Sequence, residues 1–210
     1  MFITLEGIEG VGKTTHLGFI EAYLADAGIT VCSTREPGGT VLGNELRNIL
    51  LAQRQEMMNP MAELLLMFSA RVQHVESFIK PALAERKWVI CDRFVDASYA
   101  YQGAGRGIPY DTLRSLEQLT LGDFKPDHTF IFDAPVEQAL ARMKGRGVPD
   151  RIESETQAFF ERARHYYRSL PLKDPTRYSL IDASKSMEAV QDILIKQLHV
   201  WVEKSQHKTC

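Results

Sequence analysis

Cysteine is scarce in this sequence: Cys32, Cys91 and Cys210 are odd in number and far apart. That spacing excludes a disulfide framework and a structural zinc site. Cys32 and Cys91 fall inside apolar, strand-like runs, where a free thiol packs as a small hydrophobe. The six histidines show no metal-ligand spacing and none is placed as an evident base, which sets aside metal-hydrolase chemistry. No run of about eighteen apolar residues occurs, and no basic segment with an apolar signal stretch precedes the first strand-like run. The reading is a cytoplasmic chain without a membrane partner. An excess of either charge is also lacking, since 25 Lys and Arg against 27 Asp and Glu give a net charge of −2. This argues against a broad nucleic-acid-binding surface and points to small-molecule partners.

What the sequence does contain is enough apolar residue, 44% of 210, to bury one sizeable core, so one domain over residues 1–210 is expected. Strand-like runs recur at 2–5, 30–33, 88–91, 129–132 and 178–181. Helix-period segments separate them at 14–27, 61–80, 110–122, 136–144 and 187–204, the second ending before Pro81. That alternation predicts an α/β fold, a parallel sheet flanked by helices.

Between the first strand and the first helix stands Gly7-Ile8-Glu9-Gly10-Val11-Gly12-Lys13-Thr14, followed by Thr15. This is a complete G-x-x-x-x-G-K-[ST] phosphate-binding loop of the P-loop NTPase type. Gly7, Gly10 and Gly12 free the backbone to form a nest of N–H groups, Lys13 and the helix start add positive charge, and Thr14 offers a hydroxyl to Mg²⁺. A nucleoside phosphate is the ligand this arrangement serves.

A phosphate loop alone does not separate switches, motors and kinases, so the remaining polar groups must decide. Asp92 closes the apolar run 89–91, well placed to orient Mg²⁺ or its waters beside Thr14, and Arg93 next to it suits a second phosphate. Arg35 begins Arg35-Glu36-Pro37-Gly38-Gly39-Thr40 at the carboxyl end of the second strand, where open parallel sheets bind ligands. Phe68 and Arg71 are three residues apart and share a helix face, able to stack a base and bond its edge. Ser98, Tyr99, Tyr101 and Gln102 are further candidates for that pocket. Gly and Arg cluster at 102–107 and 142–151, suggesting mobile phosphate-covering elements, and Arg142, Arg146 and Arg151 suit charge neutralisation during phosphoryl transfer.

Taken together, residues 7–15, 35–40, 68–73, Asp92-Arg93-Phe94, Ala100-Tyr101-Gln102-Gly103 and 145–153 resemble the bacterial thymidylate kinases over nearly the whole chain. The tail from Ile181-Asp182-Ala183 fits as well. The resemblance implies a nucleoside monophosphate kinase-like fold, a homodimer packed through helices, and transfer of the ATP γ-phosphoryl group to dTMP, giving dTDP. By that resemblance Phe68 stacks on thymine, although the position four before Arg71, where relatives carry the aromatic, is Met67 here. Arg71 bonds the base edge with Ser98 and Gln102, and Glu9 approaches the deoxyribose 3′-hydroxyl. Arg35 and Arg93 hold the acceptor phosphate, while Lys13, Thr14 and Asp92 serve ATP and Mg²⁺. Val11 leaves the phosphate loop without an arginine, so the resemblance is to the type whose catalytic arginine lies in the lid, about 142–153, with Arg146 and Arg151 preferred and Arg142 beside the nucleotide.

Three other readings stand beside this one. A GTPase switch should carry N-K-x-D and D-x-x-G, yet Asn44, Asn48 and Asn59 are the asparagines here, none begins that motif, and no D-x-x-G occurs. A kinase for another monophosphate would differ only in the base pocket, and a nucleotide-binding module would bind ATP without turnover.

Overall fold

All five strand-like runs form strands in the computed structural model, which describes residues 1–144 and 148–207. They are β1 (Phe2–Glu6), β2 (Val31–Arg35), β3 (Trp88–Asp92), β4 (His128–Asp133) and β5 (Tyr178–Asp182), paired in parallel in the order β2-β3-β1-β4-β5. Their alternation explains why both faces are apolar. On β1 and β3, Ile3, Leu5, Trp88 and Ile90 enter one core cluster, whereas Phe2, Val89 and Cys91 enter the other. The first cluster is covered by α1 (Lys13–Asp26), α8 (Gln157–Lys173) and α9 (Met187–His207); the second packs under α3 (Pro60–His74) and α6 (Tyr110–Leu121). A buried Thr4–Thr129 hydroxyl pair, 2.7 Å apart, satisfies the polar groups between β1 and β4.

Several elements depart from the sequence reading. The segment expected to stop before Pro81 does not stop: α3 passes through a π-helical turn at Val75–Ile79 into α4 (Lys80–Ala84). The widened turn shifts the hydrogen-bond register and places Pro81 in the first turn of α4, where its missing N–H costs nothing. Two long helices lie outside the segments expected from the sequence. One is α2 (Val41–Leu51), whose Thr40 hydroxyl accepts from the Gly43 N–H at 2.9 Å; the Pro-Gly-Gly run before it and Gly43 within it masked the pattern. The other is α8, capped by Thr156 and buried at Phe160, Ala163, Tyr167 and Leu170, a legible helical spacing.

Residues 102–107, expected as a mobile phosphate cover, are instead packed. After α5 (Val95–Ser98) a π-helical stretch, Tyr99–Gly105, leads into them and buries Gln102, Gly103 and Gly105. A Cβ on Gly105 would lie 2.4 Å from the Phe159 ring, so glycine is what lets this wall close on α8.

Candidate active site

The carboxyl ends of β1 and β3 lie side by side, Leu5 opposite Asp92, and the functional groups gather in the crevice beyond them. The phosphate loop leaves β1 through Gly7 (φ +132°) and Gly10 (φ +77°), and Gly12 (φ +91°) caps α1 in the left-handed region. Close approach fixes two of these as glycine: a Cβ would sit 2.3 Å from the Phe132 carbonyl at Gly7 and 2.0 Å from the Ala139 carbonyl at Gly10. Lys13 is buried with its ammonium donating to the carbonyls of Gly7 (2.9 Å) and Ile8 (2.8 Å). Burial, then the neighbouring Arg93 charge, lowers its pKa to about 8 against the raising effect of Asp92, Glu9 and Glu6. The cavity over the loop is lined by Gly10, Gly12, Lys13, Thr14 and Thr15 together with Glu9, Arg47, Asp92, Arg93 and the segment residues Asp150 and Glu153. Ile8 and Val11 of the loop are buried in the core behind it.

Arg93 follows β3 with φ +73°, uncommon for a side chain of this size and a form of strain found at functional sites. Its guanidinium donates to the Gly7 carbonyl at 2.9 Å and to Glu9 at 2.8 Å, and stacks over Tyr101 at 4.9 Å. The next N–H, that of Phe94, is accepted at 2.7 Å by Glu6, whose own pKa is raised to about 8 by burial and by Asp96. Asp92 has one buried oxygen, Oδ1, with no hydrogen-bond partner among the described residues, and it shares the cavity with the exposed Thr14. Two hard oxygen donors fit Mg²⁺, and no group of three or more His, Cys, Asp or Glu among the described residues is arranged to hold a metal; an ion here would complete its shell from phosphate oxygens and water.

A second cavity adjoins the first through Glu9, Arg47, Arg93 and Asp150. It is also lined by Met67, Arg71, Ser98 and Gln102, with Tyr101 beside the shared residues Glu9 and Arg93. Arg71 is 2% exposed and donates to Glu36 (2.6 Å), Ser98 (3.0 Å) and the Phe94 carbonyl (3.0 Å). Glu36 in turn bonds His74 (3.1 Å), whose other ring nitrogen meets Thr34 (2.7 Å). A polar chain thus runs from β2 through α3 to α5 and fixes the guanidinium.

Most of the expected residues meet here, with four differences. Phe68 does not face the cavity: it is 1% exposed in the second core cluster, beneath the Arg71 guanidinium at 4.7 Å, and Met67 occupies the lining position. Tyr99 is turned away, donating to Glu117 and stacking with Tyr110 and Tyr166, while Tyr101 lines the cavity and donates to Glu9 at 2.6 Å. A one-residue step along a helix turns a side chain by about 100°, which separates Met67 from Phe68, and a two-residue step puts Tyr101 on nearly the opposite side from Tyr99. Arg35 is exposed at the end of β2 and lines neither cavity, whereas Arg47 of α2 lines both and donates to the Pro37 carbonyl at 3.0 Å. Arg151 stands back from the phosphate loop, bonded to Glu63 (2.6 Å) and the Leu50 carbonyl (2.8 Å).

Arg142, in the last turn of α7 (Val136–Met143), donates to the Ala183 carbonyl at 3.0 Å and borders a groove with Thr15 and His16 on the outer side of the loop. Arg146 lies outside the described residues. Among the residues overlooked, Arg47 had a signal, a cation on a helix after a strand-end turn, hidden because α2 itself was not read. Glu36 and Glu63 had none, because a buried carboxylate is recognised by its partners.

The comparisons with known proteins agree with this geometry. The sequence model of the thymidylate kinase family matches residues 5–193. A thymidylate kinase of Pseudomonas putida (strain W619) is 51% identical over 191 residues, 91% of this chain and 92% of that one. One from Alcanivorax borkumensis is 47% identical over 203 residues, 95% and 98% of the two chains. The crystal structure of thymidylate kinase from Ehrlichia chaffeensis superposes with a TM-score of 0.76 at 36% identity, covering 94% of this chain and 98% of its own. The chain belongs to the thymidylate kinase family.

Proposed function

We propose that the two adjoining cavities bind ATP and dTMP so that their phosphates meet between Lys13, Arg47 and Arg93. The family phosphorylates dTMP to dTDP with ATP as phosphoryl donor. The observation that carries the reading for this chain is the shared wall, Glu9, Arg47, Arg93 and Asp150, common to the phosphate-loop cavity and to the cavity lined by Arg71.

In this assignment the loop 7–15 cradles the donor phosphates, and Lys13 exchanges the carbonyls of Gly7 and Ile8 for phosphate oxygens. Arg142 borders the donor nucleotide. Arg93, preset by Glu9 and by its own backbone, holds the acceptor phosphate with Arg47, and Arg35 stands outside at the strand end. Glu9 approaches the deoxyribose 3′-hydroxyl, while Arg71, Ser98 and Gln102 face the base and Met67 packs beside it. Mg²⁺ held by Thr14 and Asp92 would neutralise charge on the transferring phosphate; the arginines do the same from the protein side. Catalysis is then positioning plus electrostatics, with no covalent nucleophile.

Residues 142–153 are the lid in this reading, bringing Arg146 and Arg151 onto the transferring group and excluding water. The exposed apolar residues Val41, Leu42 and Ile49 on α2 and Met61 and Leu65 on α3 support homodimer packing through these helices. Among the described residues no helix is long and apolar enough to cross a membrane, and a cytoplasmic enzyme of one domain, 1–210, is the placement we assign. ADP release from Mg-ATP, with dTMP, dUMP, dCMP, dAMP and dGMP offered separately, tests the whole reading. Turnover strongest with dTMP is expected; turnover with none of them would overturn it.

A further inference from the structure

We propose that Glu63, which touches neither cavity, is a positioning residue that sets which pyrimidine the acceptor pocket accepts, by fixing the orientation of the Gln102 side-chain amide. The inference rests on the acceptor-site reading above. Glu63 lies on α3 and is 0% exposed. Its Oε1 accepts from the Gln102 Nε2 at 2.7 Å, and its Oε2 accepts from Arg151 at 2.6 Å and lies 3.3 Å from Arg106. Ringed by donors, Glu63 acts as an acceptor, and an acceptor tolerates only one orientation of a neighbouring amide: NH₂ towards it, carbonyl oxygen away.

The consequence falls on the cavity. Gln102 lines the acceptor pocket beside Arg71, and its carbonyl oxygen accepts no hydrogen bond from the described residues. Arg71 uses one N–H each at Nε, Nη1 and Nη2 on Glu36, Ser98 and the Phe94 carbonyl, which leaves two of its five N–H groups unassigned. The pocket therefore presents a donor next to an acceptor. Thymine and uracil offer the complement, a carbonyl O4 next to the ring N3–H. Cytosine offers the reverse, an amino group next to a bare N3, and would set donor against donor and acceptor against acceptor. Were the Gln102 amide free to rotate, half of that discrimination would go, because the rotated amide would donate to the cytosine N3. Glu63 prevents the rotation from outside the pocket.

Glu63 also holds Arg106 and Arg151, so replacing it will disturb more than Gln102. Those effects act on every acceptor alike and cancel in a ratio of acceptors, which makes the ratio the informative quantity. The experiment is kcat/KM for dTMP, dUMP and dCMP with the full chain and its Glu63→Gln variant. We expect the dTMP/dCMP ratio to fall by about tenfold or more in Glu63→Gln, while the dTMP/dUMP ratio stays within about twofold because both bases present the same edge. A Glu63→Gln enzyme that keeps the wild-type dTMP/dCMP ratio overturns the proposal, as does one that changes both ratios equally. Should Glu63→Gln fail to fold, Glu63→Asp decides, because it keeps the buried charge beside Arg106 and Arg151 while withdrawing the carboxylate from the Gln102 amide: a fall in the dTMP/dCMP ratio supports the proposal and its retention overturns it. A wild-type enzyme that does not phosphorylate dTMP would overturn the functional reading and this inference with it; wild-type preference for dTMP kept by the variants overturns this inference alone.

Discussion

Arg93 and Glu9 form an ion pair of 2.8 Å that ties the residue after β3 to the middle of the phosphate loop, 84 positions away in sequence. Arg93 also bonds the Gly7 carbonyl at 2.9 Å, so one guanidinium spans the loop from its first glycine to Glu9. The side chain is thereby held where the two cavities join, with its backbone strained to φ +73°. Removing it should cost turnover far more than donor binding. Arg93→Ala is expected to lower kcat by about 10²–10³-fold with a smaller change in the ATP KM, the signature of a group acting on charge that develops during transfer. Steady-state kinetics with both substrates varied checks this, and an unchanged kcat would remove Arg93 from the chemistry.

Lys13 predicts a pH dependence of donor binding. Its pKa of about 8 means that the ammonium is charged at pH 7 and is lost as pH rises through 8, whereas a solvated lysine would keep its charge to beyond pH 10. Bound phosphates need the charged form and raise the pKa, so binding takes up a proton above pH 8. The Kd for ATP should therefore weaken by about tenfold per pH unit between roughly pH 8.5 and 10, and be flat below about 7.5. Calorimetry across that range measures it. A Lys13→Arg variant, whose guanidinium stays charged, should lose the slope even if its affinity is lower.

Arg71, proposed to read the base edge, also bears on stability. Both it and Glu36 are almost completely buried, with side-chain exposures of 2% and 3%, so Arg71→Ala strands a carboxylate beside His74. The cost in folding stability should be about 3–5 kcal/mol, since a buried charge is left without its partner. In the variant that remains folded, the dTMP KM should rise much more than the ATP KM. Equal rises would place Arg71 outside the base pocket.

How much of this was legible beforehand follows from the physics of each signal. The central strands β1, β3 and β4 were readable because strands buried on both faces demand continuous apolar runs, and the phosphate loop because close approach at Gly7 and Gly10 admits only glycine. Which side of a helix a residue occupies was harder. Phe68 and Met67, like Tyr99 and Tyr101, are separated by rotation about a helix axis, and composition gives no reference direction for that rotation. The π-helical turns at Val75–Ile79 and Tyr99–Gly105 shift the phase again, and their backbone hydrogen bonds leave no residue-type signature. Glu36 and Glu63 were illegible for another reason: each is defined by three-dimensional partners on other elements.

Gly10 offers a test of the loop independent of charge. With φ +77° and the Ala139 carbonyl 2.0 Å from where a Cβ would stand, Gly10→Ala forces the backbone of the loop or of α7 to move. The variant should lose more than about 1 kcal/mol of stability, because both conformation and contact oppose the methyl group. Its ATP affinity should fall in parallel, since the displaced N–H groups no longer converge on phosphate. Thermal denaturation with and without ATP separates the two: the stabilisation by nucleotide seen in the wild type should be strongly reduced in Gly10→Ala.

Arg151 has to move if the lid reading is correct. It is held by Glu63, by the Leu50 carbonyl and, through its own N–H, by the Leu51 carbonyl at 3.1 Å, and its Nη2 is buried without a partner among the described residues. That unsatisfied group makes the present placement less than optimal for the guanidinium, and an anion approaching through the shared wall at Asp150 would reward its release. Arg151→Ala should then lower kcat while leaving the dTMP KM within a few-fold, because Arg71, proposed to bind the base, lines the second cavity and not the one over the phosphate loop. Two arginines are available to the lid, so the double variant Arg146→Ala/Arg151→Ala is the decisive one. If transfer depends on lid charge, its kcat should fall by about 10³-fold or more, the scale of an arginine acting on a transferring phosphoryl group. If the double variant turns over at the wild-type rate, the charge that matters is carried by Arg47 and Arg93 on the rigid wall of the site.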